Sequence, residues 1–253
     1  MIALITGASS GIGRDIARSL ARRGCDLILA ARNKDRMIAL AKELRDLNIK
    51  TRIIVTDLSK EENCIKLHEK TKKYNIDILI NNAGFGVFGK FTDTPLKKEM
   101  NMIDVNIKAV HILTKLFLRD FRKKNRGYIL NVASAAAFCP GPLFSSYYAS
   151  KAYILRLTQA IGEELKKDDS RVYIGTFCPG PVNTDFNNRA GVSFAMKGIK
   201  SSVAAEYAVK NMFKRKKIII PGASIKLLPI IVRFVPSALV LHFCYYFQRK
   251  KGI

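Results

Sequence analysis

The chain has 253 residues, 48% of them hydrophobic, which suits one sizeable α/β domain and excludes a disordered chain. Its five cysteines (Cys25, Cys64, Cys139, Cys178, Cys244) are odd in number and widely spaced, which argues against a disulfide scaffold and for reduced thiols in the cytoplasm. The net charge of +24 admits nucleic acid, anionic lipid or an anionic substrate, but the cations sit near predicted helix C-termini and complement the helix dipoles. Arg22-Arg23, Lys72-Lys73, Arg122 to Lys124 and Lys214 to Lys217 are such places, so a solvated basic surface is expected and nucleic acid is not.

Ile2 to Thr6 is a short apolar run, followed at once by Gly7-Ala8-Ser9-Ser10-Gly11-Ile12-Gly13. Ile16, Ala17, Leu20 and Ala21 then recur at helical spacing. Strand, glycine turn and amphipathic helix open a βαβ unit. Such glycines let the backbone approach a pyrophosphate, and the free N–H groups of the helix start face the anion. The first strand begins at Ile2, which leaves no room for a signal peptide.

Helix one ends at Gly24, and Leu27 to Ala31 forms the second strand, closing on Arg32. Asn33 can cap a helix that runs to about Asn48. Thr51 to Thr56 is the third strand, ending at Asp57-Leu58, and Ser59 caps the next helix, with Glu61 and Glu62 in its first turn. Asp77 to Ile80 is the fourth strand, followed by Asn81-Asn82-Ala83-Gly84 and a glycine-rich loop. Thr94-Pro95 starts a long helix that continues through Lys124, with a break expected near Asn106. Tyr128 to Val132 is the fifth strand, Ser145 to Lys167 a long helix and Val172 to Phe177 the sixth strand. Ser202 to Lys214 is a helix and Ile218 to Ile220 the seventh strand. This alternation predicts one doubly wound Rossmann-fold domain, a seven-stranded parallel sheet flanked by helices, over residues 1–253. His68, His111 and His242 form no cluster with the cysteines, so no metal site is expected.

The motifs together resemble the short-chain dehydrogenase/reductase family over nearly the whole chain. Thr6 to Gly13 looks like its nucleotide loop and Asn81 to Gly84 like its fourth-strand motif. Ser134 with Tyr147-Tyr148-Ala149-Ser150-Lys151 looks like its active site, and Pro179-Gly180 with Thr184 like its late cofactor loop. The resemblance implies a catalytic tetrad of Asn106, Ser134, Tyr147 and Lys151, in which the asparagine helps hold a water linking the lysine to solvent. It implies cofactor contacts from Gly7, Ser9, Ser10, Gly11, Ile12, Gly13 and Arg14 on the first loop and helix. Asp57, at the position that binds the adenine amine, and Leu58 beside it would follow. Asn82, Ala83 and Gly84 would line the cofactor, while Pro179, Gly180, Val182 and Thr184 would close over the nicotinamide side. A homodimer or homotetramer is implied as well.

Tyr147 and Lys151, four apart on a helix, share one face. A phenol with pKa about 10 is a poor base at neutral pH, and a neighbouring ammonium is expected to lower that value. Tyr147 could then give a proton to a carbonyl or take one from an alcohol, with Ser134 hydrogen-bonding the same oxygen. Tyr148, three residues from Lys151, is the rival, and the family spacing Tyr-x-x-x-Lys favours Tyr147. For cofactor choice, a ribose 2′-hydroxyl is usually held by an acid at the end of the second strand. Ala31-Arg32 stands there instead, so Arg32 is expected to pair with the 2′-phosphate of NADP(H) and Arg14 to reach it from the first helix. Arg14 and Arg36 read equally as solvated helix arginines.

Residues 218–253 are apolar, interrupted by Lys226, Pro229, Arg233 and Pro236, and no run reaches the roughly 20 residues of a membrane span. Leu239 to Phe247 is apolar on every face, so it must be buried: in a substrate pocket, in a subunit interface, or on a membrane, with Arg249-Lys250-Lys251 alongside. The first two are preferred. The sequence thus predicts an NADP(H)-dependent oxidoreductase that interconverts a hydrophobic small-molecule ketone or aldehyde and its alcohol. The alternative is a non-catalytic NADP(H)-binding scaffold or sensor attached to an anionic membrane surface.

Overall fold

The computed structural model describes residues 1–186 and 198–249. Seven parallel strands form the sheet: β1 (Ile2–Thr6), β2 (Asp26–Ala31), β3 (Thr51–Val55), β4 (Ile78–Asn81), β5 (Tyr128–Val132), β6 (Tyr173–Phe177) and β9 (Ile218–Ile219). Their order is β3-β2-β1-β4-β5-β6-β9. The chain winds outward from β1 to β3, then restarts at β4 on the other side of β1. The crevice of such a sheet opens at that reversal, beyond the strands' C-terminal ends. Both faces are covered, so the central strands are continuous apolar runs; Leu4, Ile5, Ile28 and Leu29 are fully buried.

The helices are α1 (Gly11–Ala21), α2 (Lys34–Glu43), α3 (Glu61–Lys72), α4 (Leu96–Ile103), α5 (Val110–Lys123), α6 (Ser145–Lys167), α7 (Ser201–Phe213), α8 (Ala223–Phe234) and α9 (Ser237–Arg249). On one face α1 and α7 pack through Ile16, Ala17 and Leu20 against Ala204, Ala208 and Met212. On the other, Phe117 and Phe121 of α5 meet Leu67 of α3. A buried polar ladder locks the centre: Asn81 Nδ2 donates to Asn131 Oδ1 at 2.9 Å, and Asn131 Nδ2 to Thr158 Oγ1 at 2.9 Å. It ties β4, β5 and α6 together, the three elements from whose ends the site is built. Such a buried network favours one arrangement, with both amide groups of Asn131 engaged and Asn81 Oδ1 left without a partner among the described residues.

The break expected near Asn106 is a π-turn, Asp104–Ala109, between α4 and α5. Two boundaries differ from the sequence reading. Asn33 caps α2 as expected, its Oδ1 accepting from Arg36 N at 2.9 Å, but α2 ends at Glu43 and a 3₁₀ turn, Arg45–Leu47, carries the chain on. Ser59 does not cap α3. Its N–H donates to Asp57 Oδ1 at 3.1 Å, so the turn closes one residue early and Lys60 takes the cap position. A small element was not anticipated: β7 (Val182–Asn183) pairs in parallel with β8 (Ile199–Lys200), next to the late loop.

The largest departure is α9. Only Val240, Cys244 and Gln248, four residues apart, turn inward; Leu239, Phe243, Tyr246 and Phe247 are exposed. Within the chain the expected burial reaches only this narrow side, where Cys244 meets Cys139 and Gln248 meets Tyr148; the rest of the apolar surface is exposed among the described residues.

Candidate active site

The glycine turn and the fourth-strand motif interlock. Gly7 has φ +65°, a backbone conformation that favours glycine, and a Cβ there would lie 2.8 Å from Ala83 Cα. A Cβ on Gly13 would lie 2.2 Å from Asn82 Nδ2 and 2.5 Å from Gly7 O. Asn82 holds the turn from the other side, donating from Nδ2 to Thr6 O at 3.0 Å. Gly11 faces the late loop, 3.1 Å from Thr184 Cγ2 if it carried a Cβ. The first, fourth-strand and late loops thus meet over one crevice.

The start of α1 suits an anion. Ser10 is at the cap position but its side chain makes no capping bond, and the first turn carries no acid. Its N–H groups and partial positive charge face the crevice. Arg32, exposed at the end of β2, lines a cavity of about 330 Å³ with Asp57, Lys66 and Lys70. The two lysines, one turn apart on α3, were not singled out from the sequence; only the folded chain brings them beside β2. Asp57 is already bonded to Ser59 N, and its carbonyl accepts from Asn63 Nδ2 at 2.9 Å. Leu58 and Val182 are buried in the two cores, so only their backbone can face a ligand. Arg14 lies along Asp15, Nε to Oδ1 3.6 Å, and its Nε has no hydrogen-bond partner among the described residues. Arg36 is not merely solvated: it donates from Nη1 to Asp185 Oδ2 at 2.7 Å, joining α2 to the segment after Thr184.

Ser134, Tyr147 and Lys151 converge. Ser134 follows β5; its Oγ accepts from Ala136 N at 3.1 Å and donates to Pro179 O at 3.5 Å, and it lies near enough to the Tyr147 hydroxyl to favour its anion. Lys151 is buried, its Nζ 3.1 Å from Val132 O and 5.7 Å from the centre of the Tyr147 ring. Asn106 is fully buried on the π-turn. Its Oδ1 accepts from Phe85 N at 3.1 Å, and its Nδ2 donates to Phe85 O at 2.9 Å and Ser150 Oγ at 3.1 Å. Gly84 lies between it and the lysine: a Cβ there would be 2.9 Å from Asn106 Oδ1 and 3.4 Å from Lys151 Nζ. The asparagine therefore clamps the backbone beside the lysine, and its side chain is fully engaged in doing so.

The electrostatics differ from expectation. Burial pushes the Tyr147 phenol up to about 12, against the smaller influence of nearby Ser134, which favours its anion. Burial also pulls Lys151 down to about 8, which weakens the cation expected to lower the phenol. Between pH 8 and 10.5 the folded chain therefore holds fewer protons on Lys151 than the unfolded chain does, so stability from this group rises with pH across that window. Lys151→Met should be the more stable protein below pH 8, by up to about 3 kcal/mol, with the gap closing toward pH 10.5. Denaturant titrations of both proteins across this range check it; a gap independent of pH contradicts the assignment.

An aromatic wall surrounds the tyrosine. Phe144 stacks on Tyr147 with ring centres 4.5 Å apart at 19°, and Phe186 lies 5.4 Å away. Phe85, Val87, Phe88 and Tyr148 pack around them. Sequence reading passed over this cluster, although a phenylalanine in front of the Tyr-x-x-x-Lys helix and two in the glycine-rich loop were visible. Gln248 of α9 hydrogen-bonds the Tyr148 hydroxyl, and Cys244 Sγ lies 3.8 Å from Cys139 Sγ, so α9 backs this wall.

A doubly wound parallel sheet with an open glycine turn at its reversal is a nucleotide-binding Rossmann fold. The chain belongs to the short-chain dehydrogenase/reductase family, whose profile, described as short chain dehydrogenase, matches residues 1–192, and it is an oxidoreductase of that family. It is 36% identical over 188 residues to an uncharacterised oxidoreductase of Staphylococcus saprophyticus, covering 72% of this chain and 79% of the relative. It is 34% identical over 186 residues to the 17-beta-hydroxysteroid dehydrogenase type 3 of Homo sapiens, covering 72% of this chain and 59% of the human protein. A short-chain dehydrogenase from Sphingobium yanoikuyae, solved in complex with NADPH, is similar with a TM-score of 0.85 and 30% identity, over 94% of each chain.

Proposed function

We propose that the chain is a single-domain NADP(H)-dependent enzyme that interconverts a hydrophobic ketone or aldehyde and its alcohol in the cytoplasm, as a homodimer or homotetramer. The observation that carries this reading is the Tyr147 side chain, near Ser134, beside buried Lys151 and walled by Phe144 and Phe186. The uncapped start of α1, the glycine turn and exposed Arg32 fit a dinucleotide with a 2′-phosphate. Gly7, Ser9 to Arg14, Arg32, Asp57, Asn82 to Gly84 and Pro179 to Thr184 would hold it. When bound, the nicotinamide supplies or receives the hydride. The NADPH of the Sphingobium dehydrogenase supports the cofactor choice, and the steroid named for the human relative is in keeping with a bulky apolar substrate.

In reduction, Ser134 positions the carbonyl oxygen and Tyr147 gives its phenolic proton to that oxygen; in oxidation the phenolate takes the proton back. A phenol held near 12 is a suitable donor to a developing alkoxide. The Lys151 ammonium stabilises the phenolate left when the proton departs, and Asn106 fixes Phe85 and, through Ser150, the helix turn below Tyr147. The aromatic wall excludes water and receives the apolar body of the substrate. NADPH oxidation against ketones, aldehydes and 3-oxoacyl thioesters of graded bulk tests the reading. Turnover should rise with apolar size; turnover with none of them would contradict the proposal.

A further inference from the structure

The C-terminal helices carry an exposed stripe that the site does not use. On α8, Leu227, Ile230, Ile231 and Phe234 are 53%, 56%, 53% and 80% exposed. Their spacing is that of one helix face, the pattern that elsewhere in this chain faces the core. On α9, Leu239, Phe243, Tyr246 and Phe247 are likewise about half exposed, while Val240, Cys244 and Gln248 attach the helix to the body. Scattered surface hydrophobics need no explanation, but two adjoining helices with apolar outer faces do.

The cations decide what covers the stripe. Lys226 and Arg233 interrupt the apolar run on α8 and Arg249 ends α9; all three are exposed. The sequence holds no aspartate or glutamate after Glu206. A second copy of this chain would bring the same cations against themselves. An anionic bilayer would satisfy both features: its acyl boundary takes the apolar face, and lysine and arginine reach its headgroups along their own aliphatic stems. No helix among the described residues is long and apolar enough to cross a membrane. Helices of 12 and 13 residues lie flat in an interface rather than spanning it.

We propose that α8 and α9 form a docking surface that seats the protein on an anionic lipid bilayer through the stripe Leu227–Phe234 and the outer face of α9. The surface adjoins the site, since Gln248 holds Tyr148 and Ile225 lies against Gly180.

Flotation of the full chain with vesicles tests this at physiological salt. Equimolar phosphatidylcholine and phosphatidylglycerol should bind at least tenfold more protein than phosphatidylcholine alone. Ile230→Ser/Phe234→Ser should cut binding to the mixed vesicles at least tenfold with the melting temperature kept. Arg233→Gln should cut it about fivefold. If the double serine variant does not fold, Leu239→Ser/Phe243→Ser on α9 repeats the test. No flotation with mixed vesicles overturns the proposal. So does serine-variant binding equal to wild type, which would mean that only the overall charge of the protein was attracted. A wild-type dimer that the serine variant splits, without vesicle binding, would instead make the face an interface between copies.

Discussion

Tyr147→Phe should lower kcat for carbonyl reduction by roughly a hundredfold to ten-thousandfold, the usual contribution of a positioned acid or base. The substitution removes one hydroxyl and keeps the ring. Stacking on Phe144 and packing on Phe186 persist, so cofactor affinity and melting temperature should change little. Tyr148→Phe is the control. That hydroxyl accepts from Gln248 and is likewise held protonated by burial. Its loss should leave most turnover intact. Steady-state kinetics on the two variants decides between the tyrosines, and a reversal of the two effects would move the proton donor to Tyr148.

Arg32→Ala should weaken NADPH much more than NADH, by about tenfold to a hundredfold in kcat/KM. A guanidinium offers paired donors to phosphate oxygens, and a charge-assisted bond contributes on the order of 1.5–3 kcal/mol. Among the described residues Arg32 makes no ion pair, with Asp35 or any other, so its charge is available at the end of β2. Lys66 and Lys70 add positive charge around the same cavity. Arg14 should matter less, because it lies against Asp15. Raised salt should narrow the preference, since Arg32 is exposed. Kinetics with both cofactors tests this. Equal losses with NADPH and NADH would leave Arg32 no part in discrimination, while the reductase reading would stand.

Much of this architecture was legible because parallel strands buried on both faces must be apolar throughout. Ile2 to Thr6, Leu27 to Ala31 and Tyr128 to Val132 could hardly be anything else. Ser134, Tyr147 and Lys151 were legible by resemblance, and the fold brings them together. What was not legible depends on distance through space. Phe85, Phe144 and Phe186 come from three separate segments, and nothing in their sequence neighbourhoods says that they share one wall. The pair Arg36–Asp185 spans 149 positions. The Tyr147 pKa went the other way because spacing shows the cation but not the burial. Ser59 is not the cap: its N–H donates to Asp57 Oδ1, and Lys60 stands at the cap position. An all-round apolar helix says that something must cover it, and periodicity alone cannot say whether that partner belongs to the chain.

In the proposed reaction this chain passes a hydride between NADPH and a carbonyl carbon, with Tyr147 handling the proton. Reduction of an apolar ketone with NADPH deuterated at the transferring position of the nicotinamide tests it most directly, read by mass spectrometry of the alcohol. One deuterium should appear on the carbinol carbon per NADPH consumed, and Tyr147→Phe should slow its appearance by roughly a hundredfold or more. NADPH consumption with no deuterium in the alcohol, or label transfer by Tyr147→Phe at the wild-type rate, would contradict it.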